Sequence, residues 1–408
     1  MNRIVLATAL LGALTASGGA AQVDLPRARP EDVGLAAAPL ETGIRAAVSR
    51  AVEEQSIAGA VVGVARHGRI AYLESFGIQD VGTRAPMTER SLFRIYSMTK
   101  AVTAVAVMML HEEGRFELSD PASTYLPALA DVVVLNADGS TRAPVRPITI
   151  RDLLLHTSGF SHRTSAEYRD AGVRARDMTL DRMIENMVRV PLRFDPGAGY
   201  LYSESPTVLG RLVEIWSGRP FDEFLRERIF EPLGMADTGF WVEPARAGRL
   251  TAVHAPAEGG GLRAFEIEAA PFTVEPTLLE GAVGLVSTVP DFLRFAEMLA
   301  NRGELGGVRL LRESTVDAMT RNGLSTEIMS TRRGGTGWGL GNVSVLMDAD
   351  EGSGARAGEY RWDGSAGTEF WVDPASGTTL VTMWQSQPAN PQQLRQRITA
   401  AVREAIQR

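Results

Sequence analysis

Ser97-Met98-Thr99-Lys100, followed by Ala101-Val102-Thr103-Ala104-Val105-Ala106-Val107-Met108-Met109-Leu110, is the stretch on which the reading of this chain turns. From Ala101 it is apolar nearly all round. At about 1.5 Å per helical residue it is too short for a membrane, so it predicts a buried core helix. Lys100 opens that helix and is the one lysine among 42 Lys+Arg residues. Elsewhere arginine supplies the cations, and arginine stays protonated in proteins. A desolvated lysine can lose its proton, its reference pKa of about 10.4 falling by several units on burial. A lysine that only snorkels from a helix end is the competing reading, but arginine serves there equally well. Ser97 lies three residues earlier on the same helical face, about 5–6 Å away at Cβ. It also lies at the helix N-terminus, where free N–H groups favour developing negative charge. A serine beside a neutral amine is an activated nucleophile, with the lysine as its general base.

Composition narrows the alternatives. The 408 residues allow one large domain or two packed ones, and 44% hydrophobic content can build a sizeable core. Absence of cysteine removes disulfides, thiolate metal ligands and cysteine nucleophiles together. The net charge of -7, with no Lys/Arg cluster above it, argues against a nucleic-acid partner. Met1-Asn2-Arg3 is a short basic start, Ile4 to Ala16 is apolar, and Ser17-Gly18-Gly19-Ala20-Ala21 supplies small residues for cleavage. Residues 1–21 therefore read as a secretory signal, with the mature chain at 22–408 exported to a periplasmic or secreted location. A membrane anchor competes, but this apolar run is short for a span of about 20 residues. No later segment is long and apolar enough to span a bilayer.

Other constellations fail their context tests. No G-x-S-x-G nucleophile elbow occurs. His67, His111, His156, His162 and His254 are scattered, and His111-Glu112-Glu113-Gly114-Arg115 lacks the second histidine of a zinc helix. His156, in a turn-like Thr-Ser-Gly setting, reads as structural. The glycine run Gly334 to Gly341 precedes a strand-like segment, so it suits a bent strand lining a cleft better than a dinucleotide site. No metal and no cofactor are expected.

Two β-rich ends bracket a helical middle. Ala58 to Ala65 and Ile70 to Phe76 read as a hairpin around His67-Gly68-Arg69. Asn342 to Met347, Glu359 to Trp362, Thr368 to Val372 and Thr378 to Trp384 read as further strands. The expected fold is α/β plus all-α, an antiparallel sheet with helices Ala36–Glu54 and Pro391–Ile406 on it. The sheet part spans about 31–114 and 286–408. The inserted helical part spans about 115–285, with helices at Leu180–Val188 and Thr207–Trp216. The cleft between the parts is the default place for a site.

The S-x-x-K motif opening an apolar helix resembles the first motif of the serine β-lactamase and penicillin-binding-protein superfamily. Phe93-Arg94-Ile95-Tyr96-Ser97, Leu153 to Gly159, Gly281 to Phe295 and Trp371-Val372-Asp373-Pro374 resemble its class C β-lactamase-like branch, which includes family VIII carboxylesterases. The similarity runs from about Glu31 to the C-terminus. It implies the β-lactamase/transpeptidase-like fold. Tyr202-Ser203-Glu204 sits where the branch carries Y-x-N, which makes Tyr202 the proton-transfer partner of Lys100, with Tyr200 its competitor. Trp362-Asp363-Gly364 stands where lactamases carry K-T-G. The resemblance puts Gly364-Ser365 on an edge strand beside Ser97, with the backbone N–H groups of Ser97 and Ser365 as the oxyanion hole. Glu204, Trp362, Asp363 and Gly364 are then the substrate-binding candidates.

Two departures bear on substrate. Glu204 replaces the asparagine that binds an acylamino chain, and no lysine or histidine stands in the third motif to receive a carboxylate. Arg356 or Arg361 is the candidate replacement cation. The resemblance therefore implies a serine hydrolase acting on a small-molecule carboxylic ester. An amide-directed β-lactamase or D-Ala-D-Ala carboxypeptidase, an acyltransferase, and a non-catalytic binding protein are the alternatives.

Overall fold

The computed structural model describes residues 25–265, 272–332, 335–350 and 352–406; the expected signal segment lies outside the described residues. The N-terminal hairpin forms as expected. Strands β1 (Gly59–Arg66) and β2 (Arg69–Gly77) turn at His67 and Gly68, whose φ values of 53° and 74° suit the two-residue hairpin turn that matches strand twist. Five later strands complete the sheet: β3 (Thr336–Trp338), β4 (Ser344–Leu346), β5 (Tyr360–Asp363), β6 (Glu369–Asp373) and β7 (Thr378–Met383). The order is β3-β4-β5-β6-β7-β1-β2, antiparallel throughout. The two ends of the chain meet where β1 pairs with β7, Val61 opposite Met383 and Arg66 opposite Thr378.

Period-two alternation along β1 feeds two cores. Val61 and Ala65 join one, while Ala60, Val62 and Val64 join the other. The second core is closed by helices α1 (Arg45–Glu53) and α7 (Leu394–Ala405). The first receives helix α6 (Val289–Ala300), which approaches so closely that a Cβ on Gly63 would stand 2.7 Å from Leu293. Both faces of the sheet are thus covered.

The first core continues into helix α2 (Thr99–Glu112), buried from Thr99 to Leu110, and through it into the middle of the chain. There lie α3 (Ile150–Leu155), α4 (Leu180–Met187) and α5 (Ser205–Ser217), with α2 packed against α5. Thr149 caps α3, accepting from the Asp152 N–H while Asp152 accepts from the Thr149 N–H. That helix ends at His156, held left-handed at φ 56°.

Candidate active site

Ser97 is delivered by a 3₁₀ turn, Tyr96–Met98, one step before α2 begins. Tyr96, buried and at φ 42°, takes a backbone conformation that costs about 1–3 kcal/mol for a non-glycine residue. It makes the sharp corner that lifts Ser97 to a half-buried position while Lys100 points into the protein. Lys100 is completely buried. Its Nζ donates to the Ala282 carbonyl at 2.8 Å and to Ser97 Oγ at 3.3 Å. Burial lowers its pKa to about 7, against an opposing pull from Glu204 and with help from Arg163.

The carbonyl seat under Lys100 was not legible from side-chain chemistry. Residues Gly281 and Ala282 are stitched to α2: Thr103 Oγ1 donates to the Gly281 carbonyl at 2.7 Å, and the Leu285 N–H donates to Thr99 Oγ1 at 3.1 Å. A Cβ on Gly281 would meet Pro206.

Tyr202 meets this pair. Its hydroxyl lies near enough to Ser97 to interact with it, and Lys100 Nζ stands 4.6 Å over the centre of its ring. Burial pushes its phenol well above the usual range, so it is protonated at neutral pH. Trp362 Nε1 donates to the Tyr202 oxygen at 3.1 Å. Trp338 on β3 stands edge-on to Trp362 at 4.5 Å, and His162 stacks on Tyr202 at 5.7 Å. Neither was anticipated as a neighbour of Tyr202, since an aromatic wall drawn from separate segments leaves no local pattern. Tyr200, the competing tyrosine, packs on Trp338 and under the Arg332 guanidinium instead. His156 is buried, and its Nδ1 accepts from the Ser203 N–H at 3.1 Å, in keeping with a structural role.

The third motif ends β5 and enters the turn to β6. Gly364-Ser365 does not lie on an edge strand: β5 is interior, between β4 and β6. However, β4 pairs only with Tyr360 and Arg361, so Trp362 and Asp363 outrun their neighbour on that side. Gly364 lies against the chain that delivers Ser97, where a Cβ would stand 2.5 Å from the Ile95 carbonyl. Among the described residues, neither the Ser97 nor the Ser365 N–H has an acceptor within the protein.

Several substrate-binding expectations change. Glu204 is fully buried at the start of α5, accepting from Thr207 Oγ1 at 3.3 Å and the Arg163 N–H at 3.4 Å. Burial alone would raise its pKa, yet Lys100, Arg163, His162 and Arg174 hold it below the usual carboxylate range. It is a counter-charge inside the protein rather than a cleft-lining contact. Asp363 is ion-paired to Arg395 at 2.8 Å, and Gly364 is buried by the close approach to Ile95. Arg356 and Arg361 are paired to the buried carboxylates of Asp373 and Glu369. Neither is a free replacement cation. Thr336–Trp338 of the glycine-rich run forms the outermost strand, and the backbone turns at Gly339 to Asn342. No group of acidic and histidine side chains able to hold a metal occurs among the described residues.

A buried lysine on a serine, under an antiparallel sheet with an appended helical half, defines the serine β-lactamase and transpeptidase class of fold. The chain belongs to the β-lactamase family, whose model matches residues 44–403. Esterase EstB of Burkholderia gladioli is 33% identical over 389 residues, a match that covers 87% of this chain and 92% of that protein. Lovastatin esterase of Penicillium rubens is 29% identical over 358 residues, covering 79% and 87%. Among solved structures, EstCE1, described as a hydrolase with promiscuous acyltransferase activity, superposes with a TM-score of 0.76 at 25% identity. That match covers 91% of this chain and 99% of EstCE1.

Proposed function

We propose that the protein is a serine carboxylesterase that works through an acyl-enzyme on Ser97. The observation that carries this reading is the wholly buried Lys100 amine, 3.3 Å from Ser97 Oγ, with a pKa lowered to about 7. That environment separates the roles of the two proton carriers. Lys100 is substantially neutral near pH 7 and accepts the Ser97 proton as Oγ bonds to the ester carbon. Tyr202, protonated at rest, gives its phenolic proton to the departing alkoxide and regains one from the Lys100 ammonium, which returns to the neutral amine. The oxyanion sits between the Ser97 and Ser365 N–H groups, each such donor contributing about 3 kcal/mol to lowering the barrier. Water then attacks the acyl carbon, gives its proton to Lys100, and Ser97 leaves with a proton restored. Acyl transfer uses the same intermediate with an alcohol in place of water.

Two features set esters above lactams as substrates. The buried Glu204 carboxylate presents no amide to an acylamino chain, and the third motif carries no cation for a substrate carboxylate. The esterases among its relatives support the same choice. The test is a panel of short- and long-chain nitrophenyl esters, nitrocefin and a D-Ala-D-Ala peptide, with a stoichiometric burst of nitrophenol marking the acyl-enzyme. A higher kcat/KM for nitrocefin than for nitrophenyl butyrate reverses the ranking. The basic, apolar and small-residue pattern of residues 1–21 supports export, with maturation near Ala21. Recovery of Met1 on N-terminal sequencing of exported protein contradicts that.

A further inference from the structure

We propose that Arg395, on the C-terminal helix α7, is a positioning residue for the oxyanion-binding N–H of Ser365 and acts through the carbonyl of Gly364. This rests on the hydrolase reading above and extends it to the part of the molecule that sets the hole's geometry.

Arg395 is buried, and its guanidinium forks three ways. Nη1 donates to Asp363 Oδ2 at 2.8 Å, and Nη2 donates to the Gly364 carbonyl at 3.1 Å and the Thr368 carbonyl at 3.3 Å. These acceptors flank the turn, Gly364 to Gly367, that joins β5 to β6. The Gly364 carbonyl and the Ser365 N–H belong to one peptide unit. In a trans peptide they point in opposite directions. Holding the carbonyl on the Arg395 side therefore aims the N–H to the other side.

The rest of the turn is tied back in the same sense. Gln387 Nε2 donates to the Ser365 carbonyl at 2.8 Å, and the Ser386 N–H donates to the Ala366 carbonyl at 2.8 Å. On the Ser97 side, Gly364 abuts the Ile95 carbonyl, to which Thr368 Oγ1 also donates at 3.3 Å. The turn is thus clamped between the residues that precede Ser97 and a helix more than 290 positions further along the chain. The Gly364, Ser365 and Ala366 carbonyls are engaged, while the Ser365 N–H is left for a ligand. Arginine suits this task because its planar fork reaches a carboxylate and two carbonyls from one fixed position, which an ammonium cannot reproduce. The aim of the donor matters because the hole must fit the tetrahedral oxygen, not the ground-state carbonyl.

The test compares wild type with Arg395→Lys, which keeps a cation opposite Asp363, and with Arg395→Ala, with and without added methylguanidinium. The probes are a nitrophenyl ester and an alkyl trifluoromethyl ketone, whose hemiketal with Ser97 places an anionic oxygen in the hole. Loss of one such donor costs about 10²–10³-fold in rate, so a misaimed one is expected to lower kcat/KM of Arg395→Lys about 10- to 100-fold. The ketone Ki should rise by the same factor, while the acid limb set by Lys100 does not move. Methylguanidinium should restore part of both losses in Arg395→Ala. A thermal melt identifies folded variants, and Arg395→Lys carries the test if the alanine form does not fold. A folded Arg395→Lys enzyme with wild-type kcat/KM and ketone affinity overturns the clamp, as does a rate loss without a matching loss of ketone affinity. A wild-type enzyme that binds the ketone no better than Ser97→Ala refutes the hydrolase reading itself, and the clamp with it.

Discussion

Lys100 Nζ stands 3.3 Å from Ser97 Oγ, at the end of a side chain that is wholly buried and seated on the Ala282 carbonyl. Burial, the largest influence on this amine, brings its pKa to about 7. Below that pH the ammonium cannot accept the Ser97 proton. The expected kcat/KM for a nitrophenyl ester therefore rises with pH through about 7 and levels above it. A pH–rate profile checks this, and a limb near the ordinary lysine value contradicts it.

Lys100→Arg puts a permanently protonated cation where the deprotonatable amine stood. Acylation is expected to fall by about 10² to 10⁴, the usual loss of general-base help. Stopped-flow burst kinetics measure it. A thermal melt must accompany them, since the larger guanidinium overpacks a closed site. Near-normal acylation in a folded variant ends the serine–lysine mechanism.

Trp362→Phe deletes the N–H that donates to the Tyr202 oxygen at 3.1 Å. A net hydrogen bond of about 1 kcal/mol corresponds to a loss of about fivefold. With Tyr202 proposed to protonate the departing alkoxide, the loss should be larger for an ethyl ester than for a nitrophenyl ester, whose leaving group needs little help. Equal losses on both esters contradict the role given to Tyr202.

Glu297 on α6 is buried, accepting from Thr379 Oγ1 and the Gly68 N–H at 2.6 Å each, and burial raises its pKa to about 7. A raised carboxyl favours the folded state while protonated. That stability is full below the unfolded value of about 4.3 and is lost as pH rises through about 7. Glu297→Gln should therefore gain Tm relative to wild type between pH 5 and pH 9, by an amount reflecting about 2–3 kcal/mol. Calorimetry across that range decides it, and a difference that does not change with pH rules the linkage out.

Strand alternation and the apolar helix after Lys100 were legible because each is a local pattern with a fixed period. The hairpin at His67-Gly68 and the sheet spanning both chain ends followed from them. A single lysine among arginines pointed to the proposed chemical centre for the same reason, since the signal is a residue type in one place. What stayed hidden was assembled from distant segments. The Ala282 carbonyl has no side-chain signature, and Arg395 is one arginine among many, recognisable only when α7 is seen against the β5–β6 turn. Glu204 was misplaced because its position in the motif was visible but its burial was not. Side-chain direction at the start of α5 depends on the packing of α2 against it.

The most direct measurement is intact-protein mass spectrometry after treatment with a fluorophosphonate, followed by peptide mapping. One adduct per chain is expected, on the peptide that contains Ser97, and none on Ser97→Ala that retains its wild-type melt. An adduct that persists on the folded Ser97→Ala protein, or that maps to another serine, contradicts the assignment of Ser97 as nucleophile.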